Sequence, residues 1–355
     1  MSGISTKRRV FEYLKDKYLF YKSTKAFKHR YKNYENSLFK KTLSDEIIER
    51  YKERWSAFGK KVEIDTFLLC YNLSGKVDYD IVPENLFAAI IEKKLNPYKE
   101  LSFFSVKNVY EKWFNNKEVF PMSYFHKIDG IYYDKKFHII NGIKQFIENS
   151  TFKYPLILKP SKDTYGGAGV SFVKDKNELL SRINDYSFLV CQEKIEQNEY
   201  LSEINDSSVN SVRVCLLKSR GGVFEVLNNT MRFGIDGGLD NETSGGIVCN
   251  IDDNGKFRDY ALNKYGVKYF EHPNSGFVFK GKKVPFYHEL LEISKKISNE
   301  LILCDLVSLD MALDRNNKWR CIEINLGGQT IRFAQYAGEG FFGKYTDEVI
   351  GRTSN

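Results

Sequence analysis

Apolar and polar positions divide the chain into two regimes. In residues 1–58 the period is helical. Within VFEYLKDKYLFY, Val10, Phe11, Leu14, Tyr18 and Tyr21 recur at three- and four-residue intervals, which puts them on one helical face. A second helix is predicted over Ser44–Phe58, with Ser44 as N-cap and Asp45 and Glu46 in its first turn. Residues 60–150 look mixed: short segments such as VEIDTFLLCYNL and KIDGIYYD alternate with helical stretches such as PENLFAAIIEKKL. From Tyr154 onward the pattern turns to strands. PLILKP, VSFV, FLVCQEKI, SVRVCLL, FEVLNNTMRFG, GGIVCNID, LVSLDMALD and WRCIEIN are strand candidates, many of them separated by Gly, Asn or Asp. Two helices interrupt them, Lys176–Asn184 and His288–Leu301. Clustered strands with few intervening helices argue for an α+β fold and against a doubly wound parallel sheet. The length suits two or three subdomains. The expected division is a helical arm over 1–58, an N-terminal α/β subdomain over 59–150, and a larger unit over 151–345, its small part 151–195 and its large part 196–345.

Charge sharpens the first boundary. The net charge is +8, yet residues 1–41 alone hold 12 Lys/Arg against 3 Asp/Glu, which leaves 42 against 43 of the totals of 54 and 46 for the rest. The basic character belongs to the arm, and the body is neutral. The arm admits two readings: a helix whose apolar stripe packs on the body with its lysines in water, or a helix held against an anionic membrane surface. A nucleic-acid partner is not expected. No apolar run is long enough to span a bilayer, and the basic start is followed by charge-interrupted sequence unlike a signal peptide. The six cysteines (Cys70, Cys191, Cys215, Cys249, Cys304, Cys321) form no CxxC pair and sit in apolar runs, which reads as reduced core thiols of a cytosolic protein.

The segment with the most chemistry is LVSLDMALDRNNKWRCIEIN. Glu323 and Asn325 are two apart on one strand and project together. A hairpin through DRNNK brings Asp310 beside them. Three oxygen-bearing side chains at strand ends suit a hard cation such as Mg²⁺ bridging phosphates; the alternative is an acidic solvated face. In PLILKPSKDTYGGAGVSFV a strand ends at Lys159 and a loop with Gly166, Gly167 and Gly169 leads into another strand. Glycines let a loop fold over phosphates, but neither a P-loop nor a Rossmann fingerprint is present. FLVCQEKIEQNEYL runs from a buried strand into Gln192, Glu193, Lys194 and Ile195, a linker able to offer backbone groups to a purine edge. Arg213 and Arg232 lie in strand contexts and need anionic partners, a phosphate or a structural ion pair.

Taken in order, these elements resemble the ATP-grasp superfamily. Within it the chain is similar to the sugar-transfer-associated ATP-grasp family, related to α-L-glutamate ligases and D-alanine–D-alanine ligases. RWSAFG, SVKNVYEKWF, SVNSVRV, MRFG with DNETSGGI, and IEIN carry the likeness. The resemblance implies an ATP-grasp fold clasping ATP, with Lys107 and Lys159 on the nucleotide and Gly166 and Gly167 over its phosphates. It assigns Gln192, Glu193, Lys194 and Ile195 to the adenine, Glu199 to the ribose, and Asp310, Glu323 and Asn325 to Mg²⁺. Lys159, Arg213 and Arg232 would act on the transferred phosphoryl group, and Asp240, Asn241, Gly245 and Gly246 would lie near the acceptor. The implied activity is an ATP-dependent carboxylate–amine ligase that passes through an acyl phosphate, modifying a sugar acid or amino acid in cell-surface polysaccharide synthesis. The alternatives are a kinase on the same cleft and a non-catalytic nucleotide-binding protein.

Overall fold

The computed structural model describes residues 6–34, 36–39, 42–162, 168–240 and 245–354, and side chains from Leu14 onward apart from 36–37. The chain opens with helices α1 (Thr6–Tyr31), α2 (Asp45–Arg54) and α3 (Asp65–Ser74). Ser44 caps α2 as expected, its hydroxyl accepting from the Ile47 amide at 3.5 Å. VEIDTFLLCYNL is not strand-like: most of it is α3. Its buried residues Thr66, Phe67, Leu69, Cys70 and Leu73 fall at helical intervals, so the period, not the β-branched start, decides. A helical rod follows from α4 (Glu84–Leu86), a π-helical turn (Phe87–Ile91) and α5 (Glu92–Leu95), and then α6 (Tyr110–Trp113).

Two antiparallel sheets form the rest. The smaller combines β1 (Ser123–Ile128), β2 (Ile131–Asp134), β3 (Leu156–Pro160), β4 (Ser171–Val173) and β5 (Leu189–Glu193) in the order β2-β1-β5-β3-β4. It therefore takes in the 123–134 hairpin, ahead of the boundary drawn at residue 151. Helices α7 (Ile143–Asn149) and α8 (Lys176–Arg182) belong to the same stretch of chain, and Ile147, Leu179 and Ile183 complete its core with Phe125, Leu156 and Leu158. After α9 (Glu199–Ile204) come β6 (Ser211–Lys218), β7 (Phe224–Val226), β8 (Asn229–Phe233), β9 (Ile247–Ile251), β10 (Phe257–Leu262) and β11 (Lys268–Tyr269). Helix α10 (Tyr287–Asn299) leads to β12 (Leu306–Leu313) and β13 (Trp319–Asn325), and α11 (Arg332–Gln335) and α12 (Thr346–Thr353) close the chain. The large sheet runs β11-β10-β9-β8-β6-β12-β13, with β7 beside β6.

Strand alternation sorts the large sheet into two cores. Val212, Val214 and Leu216 of β6 and Val307, Leu309 and Met311 of β12 face α10 and the 101–120 segment. Cys215, Leu217 and Leu306 face the N-terminal helices and the 331–349 segment. All six cysteines are buried free thiols. The stripe Leu14, Tyr18 and Tyr21 does not pack on the body: these side chains are 56%, 62% and 65% exposed. Phe20 and Phe27 of α1 pack on the core instead, with Tyr31 buried in it; Val10 and Phe11 lie outside the described side chains. Among the described residues no helix is long and apolar enough to cross a membrane.

Candidate active site

The polar residues singled out in the sequence form one line across the large sheet. Register pairs Arg232 with Ser211, Arg213 with Asp310, Asp310 with Glu323, and Ser308 with Asn325. All sit on the face away from α10, at the end the N-terminal helices leave open. The β12–β13 hairpin that aligns them turns at DRNNK. The Asp314 carboxylate accepts from the Asn316 and Lys318 amides, both at 2.9 Å, and Asn317 takes a left-handed φ of +61° that asparagine tolerates. A bulge between Asp310 and Met311 shifts the pairing so that Ile322, Glu323 and Asn325 all border the same cavity.

That cavity, about 340 Å³, lies between the two sheets. Ile157, Val170, Phe172 and Ile195 give it an apolar wall. Lys107, Lys159, Arg213 and Arg232 make it cationic, and Asp240 and Gly327–Thr330 border it as well. Such a size and mixture suit a small-molecule site. Gln192, Glu193 and Lys194 line it too. Glu193 is fixed by accepting from the Met122 amide at 2.9 Å, and Gln192 donates to the Pro121 carbonyl and the Ser123 hydroxyl, both at 3.2 Å. Gly166, Gly167 and Asn241 lie outside the described residues. Gly169, at φ +77°, ends the glycine loop where a Cβ would meet Pro160 Cγ and the Tyr186 hydroxyl at 2.7 Å, so only glycine fits. Glu199 is exposed in the first turn of α9 and does not line the cavity, nor do Gly245 and Gly246. Glu196, the other acid of the linker, is paired with Lys153 and Arg315.

The charges are mutually satisfied. Asp310, almost fully buried, accepts from Arg213 through both oxygens at 2.8 and 2.9 Å, and from Arg232 at 3.2 Å and Asn325 at 3.3 Å. Burial alone would raise its pKa; Arg213 and then Arg232 outweigh burial and hold it below the usual carboxylate range. Glu323 pairs with Lys107 at 2.8 Å. The Lys107 amide donates to the Ser161 carbonyl at 3.0 Å, tying that turn to the end of β3. Lys159 points its ammonium at the Ile322 carbonyl, 3.4 Å away. Burial first, and Lys107 second, lower its pKa to about 8. Asp240 accepts from the Ser211 hydroxyl; burial raises its pKa, opposed by Arg232.

Two carboxylates and an amide are a sparse donor set. Among the described residues no group of three or more His, Cys, Asp and Glu is placed to hold a metal. That sparseness fits Mg²⁺, which takes one or two carboxylates and completes its shell with phosphate and water. It does not fit an ion that needs a protein cage. Arg213 and Lys107 neutralise the two carboxylates in this structure.

Sequence reasoning missed the support on the other side. The α4–α5 rod clamps the segment after β13. Glu92 accepts from the Gly328 and Gln329 amides at 3.1 and 2.8 Å. Asn96 donates to the Leu306 and Leu326 carbonyls and accepts from the Asp305 and Leu306 amides. Glu84 accepts from Arg332 at 3.1 Å and from the Tyr31 hydroxyl at 2.7 Å. In a plain α-helix Glu84 and Glu92 would sit about 80° apart. The wider π turn between them under-rotates the chain and brings both toward residues 328–332. The signal was present: Glu92 follows the apolar run LFAAII, where an acid needs a partner. Ser308, whose hydroxyl donates to Gln329 Oε1 at 2.5 Å, was overlooked as well.

No curated protein matches the sequence. Distant likenesses exist among solved structures. D-Ala:D-Ser ligase VanG from Enterococcus faecalis shares 16% identity over 59% of this chain and 52% of its own, with a TM-score of 0.36. An L-amino acid ligase from Bacillus licheniformis shares 12% over 69% and 43%, TM-score 0.34. N5-carboxyaminoimidazole synthetase from Staphylococcus aureus, complexed with ADP, shares 12% over 60% and 43%, TM-score 0.36. The chain spans about half or less of the length of these structures, and no residue's role follows from them. The sequence itself is more specific: residues 86–349, from the clamping rod through the β12–β13 hairpin to α12, match the family described as sugar-transfer associated ATP-grasp. With the match covering most of its length, the chain belongs to that family and is an ATP-grasp protein.

Proposed function

We propose that the protein is an ATP-dependent ligase joining a carboxylate to an amine, with a sugar acid or amino acid of a cell-surface polysaccharide pathway as one substrate. The observation that carries this is the line of Arg232, Arg213, Asp310, Glu323 and Asn325 facing Lys159 across one cavity, within a chain of the ATP-grasp family. The apolar wall of Ile157, Phe172 and Ile195 suits a purine, and the Glu193–Ile195 backbone suits its polar edge. Lys107 and Lys159 would hold the phosphates. Asp310, Glu323 and Asn325 would hold Mg²⁺, which when bound offsets phosphate charge.

The carboxylate oxygen of the substrate attacks the terminal phosphorus of ATP and ADP leaves. The amine nitrogen then attacks the acyl carbon, the C–N bond forms, and phosphate departs with the electron pair of the broken C–O bond and takes up the proton that the nitrogen loses. The chain's own contribution is alignment and charge: Arg213 and Lys159 on the transferred group, Arg232 beside the incoming carboxylate. Asp240 and the Gly327–Thr330 segment border the acceptor end.

The test is ADP release with a panel of uronic acids and amino acids, each with and without hydroxylamine as a trap for acyl phosphate. Carboxylate-dependent ADP release with hydroxamate formation is the expected result. ADP release with a stable phosphorylated product and no hydroxamate would make the protein a kinase. No nucleotide-dependent thermal shift with or without Mg²⁺ would make it neither.

A further inference from the structure

Helix α1 carries two stripes, and only one is used by the body. Phe20 and Phe27 pack on the core, and Tyr31 is buried in it. Ser23 donates to the Asn85 carbonyl at 3.1 Å, and Asn85 donates to Thr24 at 2.9 Å. These contacts fix the rotation of the helix. At about 100° per residue, Leu14, Tyr18 and Tyr21 lie roughly 100–160° around from Phe20 and within about 60° of one another. They point away from the body, which is why they are more than half exposed.

The charges follow the same geometry. Lys25 lies within the outward stripe, Lys15 and Lys22 along one edge and Lys17 along the other, all exposed. Lys28, also near that edge, is engaged with Glu63 at 3.2 Å. Asp16, the only acid between Leu14 and Tyr34, lies about 40° from Phe20 on the body side; its charge and that of Lys15 are both felt at Lys93. The outward surface is thus an apolar, aromatic strip bordered by lysines, on a protein whose body beyond residue 41 is neutral.

We infer that the outward face of α1 docks the protein on an anionic phospholipid surface. Tyrosines favour the depth of lipid headgroups, leucine the acyl boundary just beneath, and lysines the anionic phosphates at the rim. Charge chooses among occupants. A second copy would bring two strongly basic arms together, which is repulsive, whereas an anionic membrane complements the arm. The rod α4–α5, which clamps residues 326–332, is the surface on which α1 rests through Glu84 and Asn85. Docking would therefore hold the cavity at a fixed orientation to the membrane. The inference does not depend on the chemistry proposed for the cavity.

The test is co-sedimentation of the full chain with vesicles of phosphatidylcholine alone and of an equal mixture with phosphatidylglycerol. Binding is expected to the anionic vesicles only and to weaken at least about tenfold at high salt. The K15E/K17E/K22E/K25E variant should not bind. The L14S/Y18S/Y21S variant, with charge unchanged, should bind at least about tenfold more weakly. Both variants should keep the wild-type thermal transition and ADP-induced shift, because all of these side chains are exposed. Failure of the wild type to sediment with anionic vesicles overturns the inference. So does equal binding by the L14S/Y18S/Y21S variant, which would make the arm a polyanion-binding tail. A lipid-free dimer that this variant dissolves would assign the strip to a second copy instead.

Discussion

Replacing Lys159 with methionine should make the protein more stable and unable to bind nucleotide. The reason lies in where the lysine sits. Its ammonium is buried, with Lys107 near and one long hydrogen bond to Ile322, and its pKa falls from 10.5 to about 8. At about 1.4 kcal/mol per pH unit, that gap costs the ligand-free fold about 3 kcal/mol at neutral pH. Losing the hydrogen bond to Ile322 takes back about 1 kcal/mol. The net expectation for Lys159→Met is a gain of about 2 kcal/mol at neutral pH. The pH dependence has a definite sign. Below pH 8 both folded and unfolded chains carry the proton, and the full penalty is present. Between about 8 and 10.5 the folded chain releases it while the unfolded chain keeps it, so the unfolded state binds more protons and stability rises with pH. Above 10.5 the penalty is gone.

The assay is urea or thermal unfolding of wild type and variant across that range, without metal. The variant's advantage should shrink as pH rises from 8 and give way, by about 10.5, to a deficit of about 1 kcal/mol from the lost hydrogen bond. ADP at 100 times its Kd should stabilise the wild type by about 2.7 kcal/mol and leave the variant unmoved. A variant less stable than wild type at neutral pH, with a parallel pH profile, would refute the account of a lysine held charged against burial. A retained ADP shift would remove Lys159 from the phosphate site.

Other perturbations separate the remaining parts. Glu323→Ala should abolish Mg²⁺-dependent ADP release, with some loss of stability because it leaves the mostly buried Lys107 without its carboxylate; turnover at the wild-type level would exclude it as a metal ligand. Asp310→Asn leaves Arg213 and Arg232 facing each other and should cost about 3 kcal/mol in unfolding experiments. Because the folded pKa of Asp310 is depressed, its contribution is present above the ordinary carboxylate value and lost as pH falls through the folded one, so the variant should lack that part of the acid limb. Glu92→Ala strands the Gly328 and Gln329 amides and should cost about 1–3 kcal/mol, lowering turnover more than ADP affinity in side-by-side calorimetry and rate measurements. Arg332→Met should cost about 3–5 kcal/mol by leaving Glu84 buried without its cation, and Glu84→Gln added to it should recover part of that in a double-mutant cycle.

The cavity's strand side was legible because its residues are close in sequence and obey a simple period. Asp310, Glu323 and Asn325 sit on one hairpin with two-residue spacing, and Lys159 ends a strand. Such a pattern survives any packing of the neighbours. VEIDTFLLCYNL misled because its β-branched start masks the helical period that its buried residues Thr66, Phe67, Leu69, Cys70 and Leu73 follow. Helix α1 lies where the sequence period predicts a helix, but which stripe faced the body was not decidable from period alone. Leu14, Tyr18 and Tyr21 share the helical period with Phe20 and Phe27, and only polar partners such as Asn85 and Glu84 select the second set.

Glu92 shows where sequence period stops and topology begins. Its partners lie more than 230 residues away, on backbone amides that have no side-chain signature. Its orientation also depends on a π turn, which changes the helical period in the middle of the rod. Yet its neighbour by one turn, Asn96, bonds backbone of both Leu306 and Leu326, at the start of β12 and just past the end of β13. One face of one rod thus fixes both ends of the hairpin that aligns Asp310, Glu323 and Asn325, and the segment that follows it along the cavity. The strand residues supply the charges; the rod decides how closely they are held. The strand side of the cavity is therefore written in side chains, and the Gly327–Thr330 side in backbone held from outside.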